Sequence, residues 1–480
     1  MPRQLVRMFF AALVFFSYST ARCAESVPST SPIAAVPLLA AEEYRTGWIE
    51  GDCAYHAARV SGDGKVYFTV SCHLAQASSR LYVFDPLSRK IRLLWTVDQT
   101  IPHDGSVTHG KIHSPVGEMG NELFVATHDA WYHSDHTDPA TGKVQAPYKG
   151  GQFIAIDKST GKGRWIATPL PNHPAVAVLK TSSGIERVEV DGQAFVTAKM
   201  DEQRGLFYGL SWPSGYFVKV DVKTGQVSDY GNQTLSVPVP LDASLQEQTR
   251  FQFVPRTLAL DKDGNVYGPR LNGEIWKYDP WTDRIVILKA HLNSGIGAKP
   301  PPGNEHMKHW RTIVWDDKDK VFYGVHHATS WLFRFDPKAE MVEPVICWRP
   351  KEMKDKPGQL DSAQLGLAMG PNHTLYGLVH APALRPAARR SVRLITFNLD
   401  TRQFKDHGAL VTAEGLTVMF SETCAVAPNG DVYTVAWVEA EPSMRSAINA
   451  ARKDGPAEVG GHEYLMSLVR VPAEHIKFDP

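Results

Sequence analysis

Short runs of alternating apolar and polar residues, each bounded by turn residues, recur along most of this 480-residue chain. One copy of the pattern is KDGNVYGPRLNGEIWKYDPWTDRIVIL at 262–288, and KDKVFYGVHHATSWLFRFDPKAEMVEPV at 318–345 repeats it. Seven such units align with one another, spaced by roughly forty to sixty residues. A repeat of this length is typical of proteins built from stacked or radially arranged supersecondary units.

Each unit follows the same order of turns and strands. A turn such as Asp263 and Gly264 precedes a strand that carries an aromatic residue, and a second alternating strand ends in Asp-Pro or Asp-x-x-Thr-Gly. A third strand follows, and an apolar strand such as TLALD at 257–261 stands before the first turn. Four short antiparallel strands per unit predict an all-β, seven-bladed β-propeller at 46–480. A two-domain α/β fold is disfavoured, because long helical periodicity is absent.

The N-terminal stretch MPRQLVRMFFAALVFFSYSTARCAES has the composition of a secretory signal peptide. Arg3 and Arg7 precede an apolar run that is too short to span a bilayer, and small residues follow. We therefore predict a signal peptide at 1–24, a Pro/Ala/Ser-rich lead-in at 25–45, and a periplasmic or secreted protein. A buried helix, or a lipoprotein anchored through Cys23, are the alternatives.

The bulk composition excludes few classes of protein. Equal numbers of basic and acidic residues, 51 of each, argue against a broad nucleic-acid-binding face, and no later stretch is long and apolar enough to span a membrane. We expect a monomer.

After signal cleavage four cysteines remain, and Cys53 and Cys72 are expected either to form a disulfide or to stay separate buried thiols.

Alignment of the units indicates which residues lie at the channel mouth, meaning the face where inner strands begin and second strands end. The inner strands begin at His56, His113, Val196, Arg256, Arg311, Gln364 and Glu422, and the second strands end at Ser71, His128, Ser211, Arg270, His326 and His380. Charged and imidazole side chains at repeated positions are poor packing residues. They indicate a site, unless they satisfy one another in a water-filled channel.

The predicted mouth is rich in Arg and His and has only one carboxylate, Glu422. Glycosidases need a pair of carboxylates, so hydrolysis of this kind is disfavoured. Arg binds carboxylates in a bidentate manner, and His transfers protons near neutral pH. These groups suit β-elimination from a uronic acid, in which the carboxylate is neutralised, a base removes the C5 proton and an acid protonates the leaving O4.

The repeat and two segments, THGKIHSP…LFVATHDA and GLFYGLSWPSGYFVKVD, resemble the propeller polysaccharide lyases, which include ulvan lyases and rhamnose–glucuronate lyases. The family places two histidines about twenty residues apart on the first two strands of one blade. His109 and His128 match this placement best, while His113 and His133 match the spacing only. The family's Tyr and Arg on the next blade fall near Phe195 and Ser211, where this sequence departs from it.

The resemblance implies a role for each candidate residue. His109 and His128 are the expected acid and base, Arg256 neutralises the uronate carboxylate, and Tyr208 is a second acid or base unless it is a packed strand aromatic. The residues expected to bind substrate are His113, Arg311, Arg270 and Trp212. The expected partner is an anionic polysaccharide or oligosaccharide. His133 and His136, on a long loop, receive no role.

No cofactor is expected for the chemistry, although some ulvan lyases carry a structural zinc. Cys347, His327 and His380 are the residues expected to hold such an ion, and a buried free thiol is the alternative for Cys347. A non-catalytic propeller that binds partners at its mouth is the alternative function. A calcium-dependent lactonase-like hydrolase is disfavoured, since it needs several carboxylate and amide ligands.

Overall fold

The computed structural model describes residues 36–74, 76–130, 148–171, 174–181, 184–212, 214–234, 240–241, 255–300, 307–350, 353, 366–384, 390–453 and 463–478. These residues form small antiparallel sheets, most of them four-stranded. The predicted signal peptide at 1–24 lies outside the described residues. The first strand, β1 (Leu38–Arg45), belongs to the last sheet of the chain.

Five separate four-stranded sheets follow one another along the chain. The first two contain β2 (Ala58–Val60), β3 (Val66–Val70), β4 (Arg80–Asp85) and β5 (Lys90–Thr96), then β6 (Gly117–Met119), β7 (Glu122–Ala126), β8 (Phe153–Asp157) and β9 (Gly163–Ala167). A small additional sheet contains β10 (Pro174–Thr181), β11 (Gly184–Gly192) and, from later in the chain, β16 (Pro240–Leu241). The third contains β12 (Ala194–Asp201), β13 (Leu206–Trp212), β14 (Tyr216–Asp221) and β15 (Val227–Asn232). The fourth and fifth contain β17 (Ala259–Leu260), β18 (Val266–Pro269), β19 (Glu274–Asp279) and β20 (Arg284–His291), then β21 (Trp310–Asp316), β22 (Val321–His326), β23 (Trp331–Asp336) and β24 (Met341–Cys347).

The remaining described strands form one nine-stranded sheet. It contains β25 (Gly366–Gly370), β26 (Thr374–Pro382), β27 (Arg390–Asn398), β28 (Phe404–Thr412), β29 (Val418–Ser421), β30 (Ala425–Val426), β31 (Val432–Glu439) and β32 (Tyr464–Val471), together with β1. The single α-helix among the described residues is α1 (Arg445–Ala451), within the insertion before β32. Two of the predicted units share this one sheet, so the number of seven blades stays a prediction.

Strand β1 joins the two ends of the chain. Leu38–Ala41 pair in parallel with Ala409–Thr412 of β28, and Glu42–Arg45 pair antiparallel with Ser467–Arg470 of β32. The folded unit starts at Pro37. The propeller therefore includes residues 37–45, which the sequence analysis assigns to the lead-in.

Turn chemistry explains why the third and fourth strands of successive units form hairpins. Asp157 Oδ1 accepts hydrogen bonds from the backbone N–H groups two and three residues later, and Asp221 and Asp336 do the same in their own sheets. A side-chain oxygen used in this way replaces a backbone turn partner. The Asp-x-x-Thr-Gly and Asp-Pro motifs of the sequence are confirmed as turns.

Apolar clusters join each sheet to the next. For example, Phe217 lies 4.8 Å, ring to ring, from Trp276 of the following sheet, and the same cluster contains Tyr208 and Tyr278. A further cluster unites Phe68 and Tyr82 of the first sheet with Tyr433 and Met466 of the last. The core thus passes through the five four-stranded sheets and the nine-stranded sheet and returns to the first, which is the arrangement of a closed propeller. No helix in the described part of the chain is long and apolar enough to cross a membrane.

Candidate active site

The predicted starts of the inner strands come together around one channel. Arg311 lies 3.6 Å from the Glu422 carboxylate, and both side chains are buried. Burial, together with Arg311, Arg256 and Lys199, lowers the pKa of His56 to about 3. A cavity of about 160 Å³ is lined by His56, Lys199, Thr257, Thr312 and Cys424, which come from different sheets. His56, Arg256, Arg311 and Glu422 therefore lie close together, while Gln364 lies outside the described residues.

His113 and His128 are buried neighbours at the strand ends that define the channel mouth. Their ring centroids are 4.5 Å apart. The Tyr55 ring stacks on His113 at 3.5 Å, and the Trp212 ring lies 5.4 Å from His128. Arg256 Nη1 lies 3.4 Å from His113 Nδ1. Side chains from four different sheets or their connections thus contact one another at a single point.

The two imidazoles have opposite hydrogen-bonding roles. Guanidinium nitrogens only donate, so His113 Nδ1 accepts from Arg256 and the ring proton is on Nε2. His128 Nδ1 donates to the backbone carbonyl of Asp129 at 3.1 Å and also contacts the Asp129 carboxylate, so its proton is on Nδ1 and its lone pair on Nε2. Burial lowers the pKa of both histidines, and Asp129 partly opposes this for His128. Both rings are therefore neutral at pH 7, one with an Nε2 donor and the other with an Nε2 acceptor.

Lys111 adds a positive charge beside this pair. Its backbone forms an isolated β-bridge with His128, and its side chain is fully buried. Burial lowers the pKa of Lys111 to about 8, while Asp129, Cys53 and Asp52 oppose the shift. The amine is thus largely charged at neutral pH and close to losing its proton.

A chain of hydrogen bonds approaches the pair from the first sheet. Asp52 Oδ1 lies 2.9 Å from His73 Nδ1, and His73 Nε2 lies 3.4 Å from the Tyr55 hydroxyl. All three side chains are buried. Because Asp52 binds Nδ1, it orients the His73 ring with Nε2 toward Tyr55. Tyr55 is therefore held both by its stacking on His113 and by His73.

Sequence reasoning missed Asp52, Tyr55, His73, Lys111 and Asp129. The expectation that Glu422 is the mouth's only carboxylate is wrong. A signal for one of these residues was available, since Asp129 directly follows His128 in THDA. The others are not at the aligned strand ends, so a comparison restricted to those positions does not select them.

His109 does not join His128. Its Nδ1 lies 2.9 Å from the Tyr148 hydroxyl and 2.9 Å from Thr127 Oγ1, and its ring lines a separate cavity between the first and second sheets. Burial lowers the pKa of His109 to about 4. The pairing of His109 with His128 is corrected to a pairing of His113 with His128, because the backbone around His109 is not in a strand and does not alternate regularly.

Tyr208 lies away from the mouth. Its ring is fully buried, 5.9 Å from Phe217 and 5.7 Å from Tyr278, and burial raises its pKa. Tyr208 is therefore a packed strand aromatic and not a second acid or base at the mouth. Arg270 is bound by Glu274 at 3.2 Å, so its charge is already compensated at the edge of the mouth.

The predicted zinc ligands His327, Cys347 and His380 do not form a metal-binding group. His327 Nδ1 lies 2.8 Å from His309 Nε2, and His380 Nε2 contacts the Ser421 carbonyl at 3.1 Å. Their ligand atoms are not among the groups of the described residues that come within 4.8 Å of one another, so they do not fit a shared ion. Within the described residues, two groups have ligand atoms within 4.8 Å of one another, namely Asp52, Cys53 and His73, and Asp316, Asp319 and His373.

The first of these groups has the donor types of a zinc site, but Lys111 places a competing positive charge beside it. Cys53 and Cys72 are free thiols, so the disulfide alternative is wrong. Burial raises the pKa of Cys53, so this group stays a thiol at neutral pH. His133 and His136 lie outside the described residues.

The closed circuit of antiparallel sheets defines the class of this protein, which is a β-propeller. No protein-family model matches the chain, and no curated protein matches it.

Several solved structures are similar to the chain at low identity. The chain is similar to the C-terminal WD40 domain of Sif2, at 7% identity and a TM-score of 0.45 over 91% of this chain and 99% of that chain. It is similar to YCF48 bound to D1 peptide, at 9% identity and a TM-score of 0.47 over 92% and 99%. It is also similar to the Pseudomonas aeruginosa periplasmic gluconolactonase, at 10% identity and a TM-score of 0.42 over 74% and 84%.

Proposed function

We propose that this propeller is an exported polysaccharide lyase that cleaves a uronic-acid-containing glycan by β-elimination at the channel mouth. The observation that carries the proposal is the contact between His113 and His128, whose rings are 4.5 Å apart and have opposite hydrogen-bonding roles. Elimination needs one group that accepts a proton and one that donates, and two neutral imidazoles held in different tautomers supply both.

The carboxylate of the sugar requires positive charge on the same side. Arg256 contacts His113 through one of its terminal nitrogens, and Lys111 is bridged to His128 through the backbone. Both cations are buried, where their attraction for an anion is stronger than in water. In this proposal they bind the uronate carboxylate and so make the neighbouring C5 proton more acidic.

Each proton and electron pair has a defined path. His128 Nε2 takes the C5 proton, the C5–H electron pair forms the C4–C5 double bond, and the C4–O4 bond breaks. His113 Nε2–H, which has no hydrogen-bond partner in the described part of the chain, gives its proton to O4. Tyr55, stacked on His113, supports the ring that donates.

The test is a screen of glycans for the ultraviolet absorbance of the unsaturated uronate. Ulvan, gum arabic and polygalacturonate are the substrates, and the variants are His128→Ala and His113→Ala. We expect each variant to lower kcat by about 10²-fold or more, which is the usual contribution of one acid or base group.

His291→Gln is the matched control, because His291 is an exposed histidine on an outer strand of the fourth sheet. Its activity should equal that of the unmodified protein. If no glycan of the panel gives an unsaturated product, the lyase proposal is wrong. If His128→Ala keeps full activity, His128 is not the base.

A further inference from the structure

A second cavity opens beside the channel mouth, between the first and second sheets. Its volume is about 290 Å³, which is near the lower limit for small-molecule sites. The residues that line it include Ser78, Asp104, Thr108, His109, Gln152 and Trp165. Polar residues are the majority of the lining, while Ile101, Pro102, Val107 and Trp165 supply apolar surface. The cavity therefore has the size and character suited to one small hydroxylated ring.

Trp165 is an exposed aromatic residue at the edge of this cavity. Its side chain is on β9 and is 54% exposed, which is unusual for tryptophan in a folded protein. The indole Nε1 donates to Gln152 Oε1 at 2.9 Å. The same oxygen accepts from Thr168 Oγ1 at 2.5 Å, and Gln152 Nε2 donates to the Gly150 carbonyl at 3.0 Å. The ring is thus held in one orientation without being covered.

Polar groups surround this ring on the cavity side. Asp104 and Lys149 form an ion pair, and Asp104 also accepts from the hydroxyl of Ser106 at 2.6 Å. His109 makes both of its hydrogen bonds through Nδ1, to Tyr148 and Thr127, so among the described residues Nε2 is the ring nitrogen that remains for a ligand. Thr127 contacts His109 and directly precedes His128, so the cavity adjoins the proposed site of elimination.

We propose that this cavity is a subsite for one pyranose ring of the glycan, stacked on Trp165. A pyranose has an apolar C–H face and a rim of hydroxyl groups, so it needs a flat aromatic surface with hydrogen-bonding groups around it. A fixed aromatic ring binds at low entropic cost, because few rotamers are lost on contact. The inference rests on the proposed function only in that the same glycan occupies both sites, and glycan binding does not require cleavage.

The test is affinity electrophoresis of the unmodified protein and its variants in gels that contain ulvan, gum arabic or polygalacturonate. Trp165→Ala should weaken retardation by about tenfold in apparent Kd on the polysaccharide that retards the unmodified protein, as expected for loss of an aromatic anchor. Trp165→Phe should retain part of the binding, because it keeps a flat ring.

Trp281→Ala is the matched control. Trp281 is 75% exposed, but it lies in the turn between β19 and β20, at the end of its sheet away from the mouth. Its removal should leave retardation unchanged. Equal retardation of the unmodified protein and Trp165→Ala would overturn the subsite, and so would an absence of retardation on all three polysaccharides.

Absorbance measured on the same samples separates the two proposals. Retardation that depends on Trp165, without any unsaturated product, would keep the subsite and reject the lyase. Unsaturated product formed with retardation that does not depend on Trp165 would reject the subsite and keep the lyase.

Discussion

His113 and His128 have the same side chain, but their neighbours assign different atoms to donate and accept. Arg256 fixes the tautomer of one ring, and Asp129 fixes that of the other. The arrangement does not depend on a large difference between the two pKa values, since burial lowers both. In a site of this kind, hydrogen-bonding geometry decides which ring donates a proton and which accepts one, more than a difference in pKa does.

Lys111 gives the site a limit at alkaline pH. Its pKa is lowered to about 8 by burial, so its positive charge is present below that pH and is lost above it. If Lys111 binds the uronate carboxylate, kcat/KM should fall as the pH rises through about 8. Lys111→Arg should move this decline to higher pH, because Arg stays charged.

The decline of kcat/KM at low pH, which is the acid limb of the pH profile, provides the internal control. The pKa of His128 is below the ordinary histidine value, so the base stays neutral and active as the pH falls to 6.5, and activity declines only below this. Lys111→Arg should leave this limb unchanged. An alkaline limb at the same pH in both proteins would show that Lys111 does not bind the carboxylate.

Position in the repeat selects some of the site residues but not their partners. His128, His113 and Arg256 follow from aligned strand ends. The choice of His109 over His113 failed because alternation of side chains holds only within a strand, and in 107–113 only a single bridge, at Lys111, gives regular pairing. Spacing alone cannot give side-chain direction in such a segment.

The second strands of several sheets share a Tyr-Gly step that accommodates an aromatic ring. A Cβ added at Gly268 would lie 2.3 Å from the Trp276 ring, and one at Gly324 would lie 2.5 Å from the Phe333 ring. The glycine therefore allows the aromatic side chain of the next strand to lie against the backbone. This packing explains why a glycine follows the tyrosine in the VYG and FYG motifs.

Gly268→Ala should destabilise the protein by about 1–3 kcal/mol, because an added methyl group in a packed core forces neighbouring rings to shift. The measurement is the urea midpoint of unfolding, followed by tryptophan fluorescence.

Gly62→Ala is the control, since a Cβ at Gly62 would have no heavy atom within 4 Å. It should change the midpoint little. Equal midpoints for both variants would show that the sheets relax to accept the methyl group.

At the scale of strands and hairpins, the sequence predicts most of the structure. The Asp turns and alternating strands specify local hairpins, so most four-stranded sheets were expected. The strands β10, β11 and β16 were not, because they lie between repeats and follow no unit that could be aligned. β1 was also missed, since its partners Ala409–Thr412 and Ser467–Arg470 are far away in sequence.

In the whole molecule, β1 is the element that connects the beginning of the chain to its end. Leu39 is 5% exposed and belongs to the cluster between the last two groups of strands, whereas its neighbour Leu38 is 62% exposed. The strand therefore stabilises the ring through one buried face as well as through backbone hydrogen bonds.

Leu39→Asp should lower the stability of the entire propeller by about 3 kcal/mol or more, because it removes a buried apolar group and buries a charge. Thermal unfolding followed by circular dichroism measures the effect. Leu38→Asp makes the same chemical change on the exposed face and should shift Tm little. If the two variants unfold at the same temperature, β1 does not contribute to the stability of the ring.

The pairing of β1 with β32 also sets the order of events in folding. Glu43 accepts a hydrogen bond from Ser467 at 2.7 Å, although the two residues are 424 positions apart in the chain. Such a contact cannot form until synthesis has passed Ser467, and contacts between distant residues slow folding. Sheets made of local hairpins can assemble one after another while the first strand waits without a partner. Completion of the ring is therefore a late, concentration-independent step, and a nascent chain exposes the edges of its first and last sheets until that step occurs.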